Sequence, residues 1–400
     1  MLEVMVIADD LTGAADTGVC FLGGGPVKVV NLDHSSHSSD WGLAVDTGSR
    51  NATDEILPEL MLKASALVKK GRPRIIYKKI DSCLRGQIGL ELEILLANIG
   101  MTGALVAPAY PRLGRLTRNG LHYVGGSLVS ESETARDPLR PVTDARLAAI
   151  IGRGCGLPVR PIGLDLIRDG AAAVLAEIRS GEGIIWAADA ETDADLDILA
   201  TAGLAESRRL ILSGSAGLAV AVSRCMGISP QKPEKINAPR PTVFLAGSAS
   251  TVLKEQIDYL AEKEGAQVLT LNPAELMAPA SAAFGDLPGG PDNPPRPLVI
   301  NLPPPNKVSP YSSQQIIAAF GQAAARIVAA RQPQSIFMSG GDTARATLNA
   351  LGINGAWLKA EIEPGVVLLE AGSLTIVTKS GGFGDRELLR RLYRGPGEQR

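Results

Sequence analysis

The run Tyr77-Lys78-Lys79-Ile80-Asp81-Ser82-Cys83-Leu84-Arg85-Gly86 packs unlike chemistries into a short space: Lys79 and Arg85 are fixed cations, Asp81 is a carboxylate and Ser82 a hydroxyl. Cations can hold an anion, and a carboxylate beside a hydroxyl can manage a proton. The same residues would also make an ordinary solvated turn with a Lys–Asp pair, which contributes little to stability. Context separates the two readings. The apolar run Arg74-Ile75-Ile76-Tyr77 precedes the cluster, and Ile88, Leu90, Leu92, Ile94 and Leu95 follow it. The pattern predicts a strand, a polar loop and a helix, with the loop at the carboxyl end of the strand, where open α/β sheets bind ligands.

The same arrangement recurs along the chain. Val4-Met5-Val6-Ile7-Ala8 reads as a strand that runs into Asp9 and Asp10 and then into the small residues of a helix start. Capping that helix takes only one carboxylate; Asp9 is the candidate for the cap and Asp10 for a ligand. Gly42 to Thr47 is a further strand, and it brings Arg50 to the same sheet edge. His122, beside Tyr123 in an apolar hairpin, is expected to be a hydrogen-bonded structural residue. In the C-terminal part, three strand-like runs end in Gly247-Ser248-Ala249-Ser250, Gly340-Gly341-Asp342-Thr343 and Lys379-Ser380-Gly381-Gly382-Phe383-Gly384. Glycine pairs there let backbone N–H groups face a polyphosphate, and Lys379 is expected to add a mobile positive charge. Neither the Walker pattern nor the Rossmann glycine pattern is present.

Length and composition frame these sites. Four hundred residues exceed what one growing core accommodates, so two domains are expected, and a composition rich in Gly and poor in aromatic residues suits an α/β protein. The shift to Pro, Lys and Glu across 227–241 marks the boundary, giving domains 1–228 and 240–400, and the stretch 279–305 reads as an irregular insertion around one strand, Leu298 to Asn301. A net charge of −2 without a basic block argues against nucleic acid as a partner. The four scattered cysteines and the lack of a long apolar run point to a reduced, cytoplasmic protein without a membrane span.

Ala8-Asp9-Asp10-Leu11-Thr12-Gly13-Ala14, Lys79 to Gly86, Gly340 to Thr343 and Lys379 to Gly384 together resemble the motifs of the four-carbon acid sugar kinases, in that family's order and over nearly the whole chain. The resemblance implies an ATP-dependent enzyme that phosphorylates threonate, erythronate or 3-oxo-tetronate at its terminal hydroxyl, the 4-position. It implies two α/β domains, an N-terminal sugar-acid domain and a C-terminal nucleotide domain, with an active-site cleft between them. Substrate contacts are implied at Asp10, Arg50, Lys79, Ile80, Asp81 and Ser82, with Arg50 and Lys79 clamping the substrate carboxylate. Nucleotide contacts are implied at Ser248, Ser250, Gly340, Gly341, Asp342, Thr343, Gly381, Gly382, Phe383 and Gly384. Mg²⁺ is expected with the ATP, its protein ligands unassigned. Asp10 and Asp81 are the two candidate bases, with Asp10 preferred because Asp81 lies between Lys79 and Arg85. Cys83 stands where the family has Thr, which leaves the particular acid open. The oligomeric state is not indicated. A non-catalytic sugar-acid binding protein, or an enzyme using a different nucleotide cofactor, would fit the residue chemistry alone.

Overall fold

The computed structural model describes residues 2–34, 41–137, 139–229, 239–278, 296–303 and 309–395. The chain divides into two compact units, Met1–Pro230 and Gln231–Arg400. Residues 230–238 at the boundary, and 279–295 and 304–305 of the Pro/Gly-rich stretch, lie outside the described residues, as does Pro138.

The first unit begins β1 (Val4–Ala8), α1 (Leu11–Gly18), β2 (Val27–Asn31), β3 (Gly42–Asp46), α2 (Leu57–Gly71), β4 (Ile75–Lys79), α3 (Ile88–Ile99) and β5 (Gly103–Ala107). It continues through β6 (Arg115–Arg118), β7 (Leu121–Val124), β8 (Ser127–Leu128), α4 (Leu147–Gly152), β9 (Val159–Ile162), α5 (Leu164–Arg168) and α6 (Ala171–Arg179). β10 (Ile184–Ala188), α7 (Asp193–Ala205), β11 (Leu210–Gly214) and α8 (Ala216–Cys225) complete it. Its main sheet runs β2-β3-β1-β4-β11-β5-β10-β9, with every neighbouring pair parallel. Strands covered on both faces need apolar residues at every position, and β1, β4, β10 and β11 are buried throughout. β6, β7 and β8 form a separate antiparallel sheet.

The chain leaves β1 toward β3 and β2 on one side, then crosses back to β4 on the other. That reversal opens a crevice at the carboxyl end of β1, which is where the geometry of open parallel sheets admits a ligand. Below it, Leu57 and Met61 of α2 and Leu92 and Leu95 of α3 are fully buried in the core that fixes these strand ends. Truncating any of the four to Ala removes about 2–5 kcal/mol.

The second unit contains β12 (Val243–Ala246), α9 (Thr251–Glu264), β13 (Gln267–Thr270), α10 (Pro273–Met277), β14 (Leu298–Asn301), α11 (Ser313–Arg331), β15 (Ser335–Ser339) and α12 (Gly341–Ala350). A hairpin of β16 (Gly355–Glu363) and β17 (Val366–Ala371) follows, then β18 (Leu374–Lys379) and α13 (Leu388–Arg394). The order is β13-β14-β12-β15-β18-β17-β16, parallel as far as β18 and antiparallel beyond it. Here β12 is the strand at which the order reverses. Phe244 and Phe337 pack in the core with ring centroids 5.6 Å apart. The expected α/β fold is present in both units. Among the described residues, no helix is long and apolar enough to cross a membrane.

Candidate active site

Parallel pairing sets Ala8 level with Asp46 on one side and Lys79 on the other, so the residues just past β1, β3 and β4 meet at the crevice. Asp10 is the N-cap of α1: its Oδ1 accepts from the Gly13 amide at 2.7 Å and its Oδ2 from the Thr12 hydroxyl at 2.9 Å. The cap therefore belongs to Asp10 rather than Asp9. Asp9 instead accepts two bonds from Arg50, Nε to Oδ2 at 2.8 Å and Nη2 to Oδ1 at 2.7 Å, while Nη1 reaches Asp10 Oδ2 at 2.6 Å. Three of the five guanidinium N–H groups are thus taken, so the clamp expected of Arg50 is largely filled by the protein's own acids. Burial alone would raise the Asp10 pKa, but Arg50 and then Lys79 outweigh it and hold the carboxyl below its usual range.

Lys79 is the last residue of β4, not a loop residue as the sequence suggested; the strand continues two residues past Tyr77 because parallel partners flank it on both sides. Successive side chains on a strand point to opposite faces. Lys78 pairs with Glu91 of α3 at 2.8 Å, the two side chains 0% and 2% exposed, whereas Lys79 turns to Asp16 of α1 at 3.6 Å. Burial works against the Lys79 ammonium, but Asp16, Asp9 and Asp10 prevail and its pKa is raised. Gly13 is what lets α1 come this close: a Cβ there would lie 2.6 Å from Asp10 Oδ1 and 3.0 Å from Lys79 Nζ.

The loop after β4 is held at several points. The Ile80 amide donates to the Gly214 carbonyl at 3.0 Å, and the Ile80 side chain is buried in the core, so any ligand contact from it is through the main chain. Asp81 Oδ2 accepts from Arg85 Nε at 2.6 Å, and Arg85 also reaches Asp137 at 3.2 Å. Burial would raise Asp81, but Arg85, Arg50 and Lys79 hold it far below the ordinary carboxylate range. His122 Nε2 donates to the Ser82 carbonyl at 2.8 Å, and Nδ1 accepts from the Thr117 hydroxyl at 3.0 Å. Buried and neutral, with a pKa lowered to about 4, His122 is the structural residue expected, and it ties the small antiparallel sheet to the loop.

In the second unit, the candidate turns follow β12, β15 and β18, which are neighbours in the sheet. Gly340, at φ 101°, caps α12, while Ser250 caps α9 without a side-chain bond. A helix start combines first-turn amides with a positive dipole end, an arrangement suited to phosphate. Residues 247–250 and 340–343 lie against each other: a Cβ on Gly247 would lie 1.9 Å from Thr343 Oγ1. A Cβ on Gly381 would lie at the same distance from Ser248 Oγ and 3.1 Å from Ser250 Cβ, whereas one on Gly382 would meet nothing within 4 Å. Asp342 pairs with Arg345 at 3.1 Å. The Phe383 ring is buried against Gly365, and its carbonyl accepts from Gln256, so its contribution to the turn is structural. Lys379 is not mobile: it is 1% exposed, and its Nζ donates to the carbonyls of Ser380 and Gly381 at 3.2 and 2.8 Å.

Sequence reasoning missed Asp16 and Asp137 as partners of Lys79 and Arg85, and Gln256 as the brace of the last turn. Each acts across a long sequence separation, which local pattern does not reveal.

Buried mixed charge thus lies at the switch point of one α/β unit, and Gly/Ser/Thr turns lie at the helix starts of the other. Residues 4–222 match the family described as a sugar-binding N-terminal domain, and residues 243–389 match that described as a nucleotide-binding C-terminal domain. A D-threonate kinase of Cupriavidus necator is 31% identical, the match covering 99% of this chain and 98% of the relative. A 3-oxo-tetronate kinase of the same species is 30% identical over 94% and 93%. A Salmonella typhimurium LT2 protein described as a tRNA synthase shares the fold with TM-score 0.75 at 22% identity, over 98% of this chain and 99% of that one. The chain belongs to the four-carbon acid sugar kinase family.

Proposed function

We propose that the chain transfers the terminal phosphoryl group of ATP to the 4-hydroxyl of a four-carbon sugar acid, with the acid held by the first unit and the nucleotide by the second. The observation that carries this reading is the meeting of Asp10, Arg50, Lys79 and Asp81 at the carboxyl ends of β1, β3 and β4. Carboxylates accept from sugar hydroxyls, and Lys79, Ser82 and the uncommitted N–H groups of Arg50 are the donors available to the substrate carboxylate. Kinases of about 30% identity over nearly the whole chain support the same reading.

Phosphoryl transfer asks mainly for positioning and charge neutralisation. Mg²⁺ fits as the companion of the phosphates: it takes phosphate and water oxygens with few protein ligands, and no group of three or more His, Cys, Asp or Glu suited to a metal occurs among the described residues. For the proton acceptor, proton affinity does not separate Asp10 from Asp81, since neighbouring cations lower both. Availability does. Both Asp10 oxygens are bonded, whereas the side-chain hydrogen bonds of Asp81 fall on Oδ2. Asp81 Oδ1 is therefore assigned to the substrate hydroxyl, which reverses the preference drawn from sequence.

The test is ADP release with ATP–Mg²⁺ across D- and L-threonate, D- and L-erythronate and the 3-oxo-tetronates, with thermal shifts for ATP and NAD alongside. Turnover with at least one acid is expected. Binding of an acid with no turnover on any would favour a non-catalytic binding protein, and stabilisation by NAD but not ATP a different cofactor.

A further inference from the structure

Lys379 stands apart from the other buried lysines. Lys78 has Glu91 and Lys79 has Asp16, but among the described residues the Lys379 amine meets only the Ser380 and Gly381 carbonyls. Its strand neighbours are Ser339 on β15 and Val366 on β17. Charged groups on the surrounding elements are engaged elsewhere: Asp342 with Arg345, Glu361 with the Gly365 amide, and Glu363 and Asp385 with Arg391. Burial without a carboxylate lowers its pKa to about 7.

Among the described residues, two hydroxyls around the same turn have no hydrogen-bond partner. Ser339, level with Lys379 across the β15–β18 pair, is fully buried with no hydrogen bond to its Oγ, and Ser250 Oγ, beside Gly381, is likewise buried and unpaired. Both hydroxyls are donors available to an acceptor-rich group at this turn. A neutral amine has two N–H groups, matching the two carbonyls it serves. An ammonium has a third and needs an anion to offset its burial.

We infer that nucleotide binding at this turn brings a proton from solvent onto Lys379 Nζ, whose third N–H then bonds a phosphate oxygen, so that binding is coupled to net proton uptake. The inference rests on the reading that the second unit binds nucleotide. In charge terms, the amine lone pair takes one proton from the buffer, and the new ammonium is balanced by the phosphate. A lysine that merely braces the turn would bind no extra proton.

Calorimetric titration with ADP, and with ATP, in buffers of different ionisation enthalpy reads the coupling directly. Wild-type protein should take up roughly 0.9 proton per nucleotide at pH 8, falling to roughly 0.1 at pH 6. The K379R variant, charged throughout, should bind with uptake lost at both pH values. Should K379R not fold, the ¹³Cε resonance of Lys379 in the wild-type protein replaces it; it should titrate near neutrality without nucleotide and stay in the charged position up to about pH 9 with nucleotide. Nucleotide binding with a buffer-independent enthalpy at pH 8, uptake that persists in K379R, or a Lys379 resonance unmoved by nucleotide would each overturn the coupling while leaving nucleotide binding standing. No binding of either nucleotide by wild-type protein would overturn the assignment of the second unit, and the coupling with it.

Discussion

Replacing Asp81 with Asn tests the proposed chemistry most directly, provided Asp10→Asn is measured beside it. Asn keeps the shape of Asp81 and can still accept from Arg85 through its oxygen, but it loses the charge and the ability to take a proton. The charge-assisted bond from Arg85 Nε, 2.6 Å in length, is worth about 1.5–3 kcal/mol, and part of it survives because Arg85 retains Asp137. If Asp81 Oδ1 receives the hydroxyl proton, turnover should fall by about 10²–10⁴-fold, or roughly 2.7–5.4 kcal/mol of barrier. Asp10→Asn can keep the Gly13 cap through its oxygen, but its NH₂ then confronts Arg50 Nη1. Stability should drop by about 1.5–3 kcal/mol and the requirement for acid should rise, while turnover stays within about tenfold of wild type. The assays are single-turnover phosphorylation at saturating acid, with denaturant unfolding to separate folding loss from catalytic loss. An inactive Asp10→Asn beside a nearly normal Asp81→Asn would refute the argument from oxygen availability.

Other perturbations read the remaining contacts. Gly382→Ala should leave the melting temperature unchanged yet weaken nucleotide binding, because a Cβ there meets nothing in the protein but would meet a phosphate lying over the turn; Gly381→Ala should affect both, since its Cβ runs into Ser248. Calorimetry and thermal melts of the pair separate these outcomes. His122 is held neutral with a pKa of about 4 against 6.5 unperturbed, so between those values only the unfolded chain takes the proton. Its contribution is whole above about pH 6.5 and lost as pH falls toward 4, a decline of roughly 3 kcal/mol that urea unfolding of wild type against His122→Gln should resolve. The lowered Asp81 acts in the same direction in a more acidic window: its stabilisation is present above about pH 4 and fades below it, so the acid limb of the unfolding curve should be shallower in Asp81→Asn. Arg50→Ala strands two buried carboxylates and should cost about 3–5 kcal/mol of stability, measured by the same unfolding curves.

Much of this was legible in the residues. Continuous apolar runs gave the buried parallel strands, and polar residues at their ends gave the crevice, because a parallel sheet leaves ligands little choice of edge. What could not be read was pairing. Nothing near Asp16 in the sequence announces Lys79, and Arg50 looks like a free cation until folding sets it between Asp9 and Asp10. The exposure of Lys379 was misjudged for a related reason. Local pattern places it at a polar strand end, but flanking strands and the glycine turn enclose it. Phe383 and Ile80 sit inside the motifs expected to bind ligands, yet their side chains are buried in the core, a division that only packing reveals.

The doubled lysine at the end of β4 also bears on how the strand finds its place during assembly. Each lysine answers a different buried acid on a different side of the sheet, Glu91 for Lys78 and Asp16 for Lys79. Were the strand to slide by one residue toward either end, a lysine would fall into only one of the two slots, and Tyr77 or Ile80 would fill the other. One acid would then be buried opposite an apolar side chain, at about 3–5 kcal/mol. Apolar neighbours such as Ile75 and Ile76 are interchangeable enough to permit such a slide, so the two adjacent charges act as a proofreading device, and a single-residue deletion anywhere between Ile75 and Lys79 should be harder to rescue than most substitutions there.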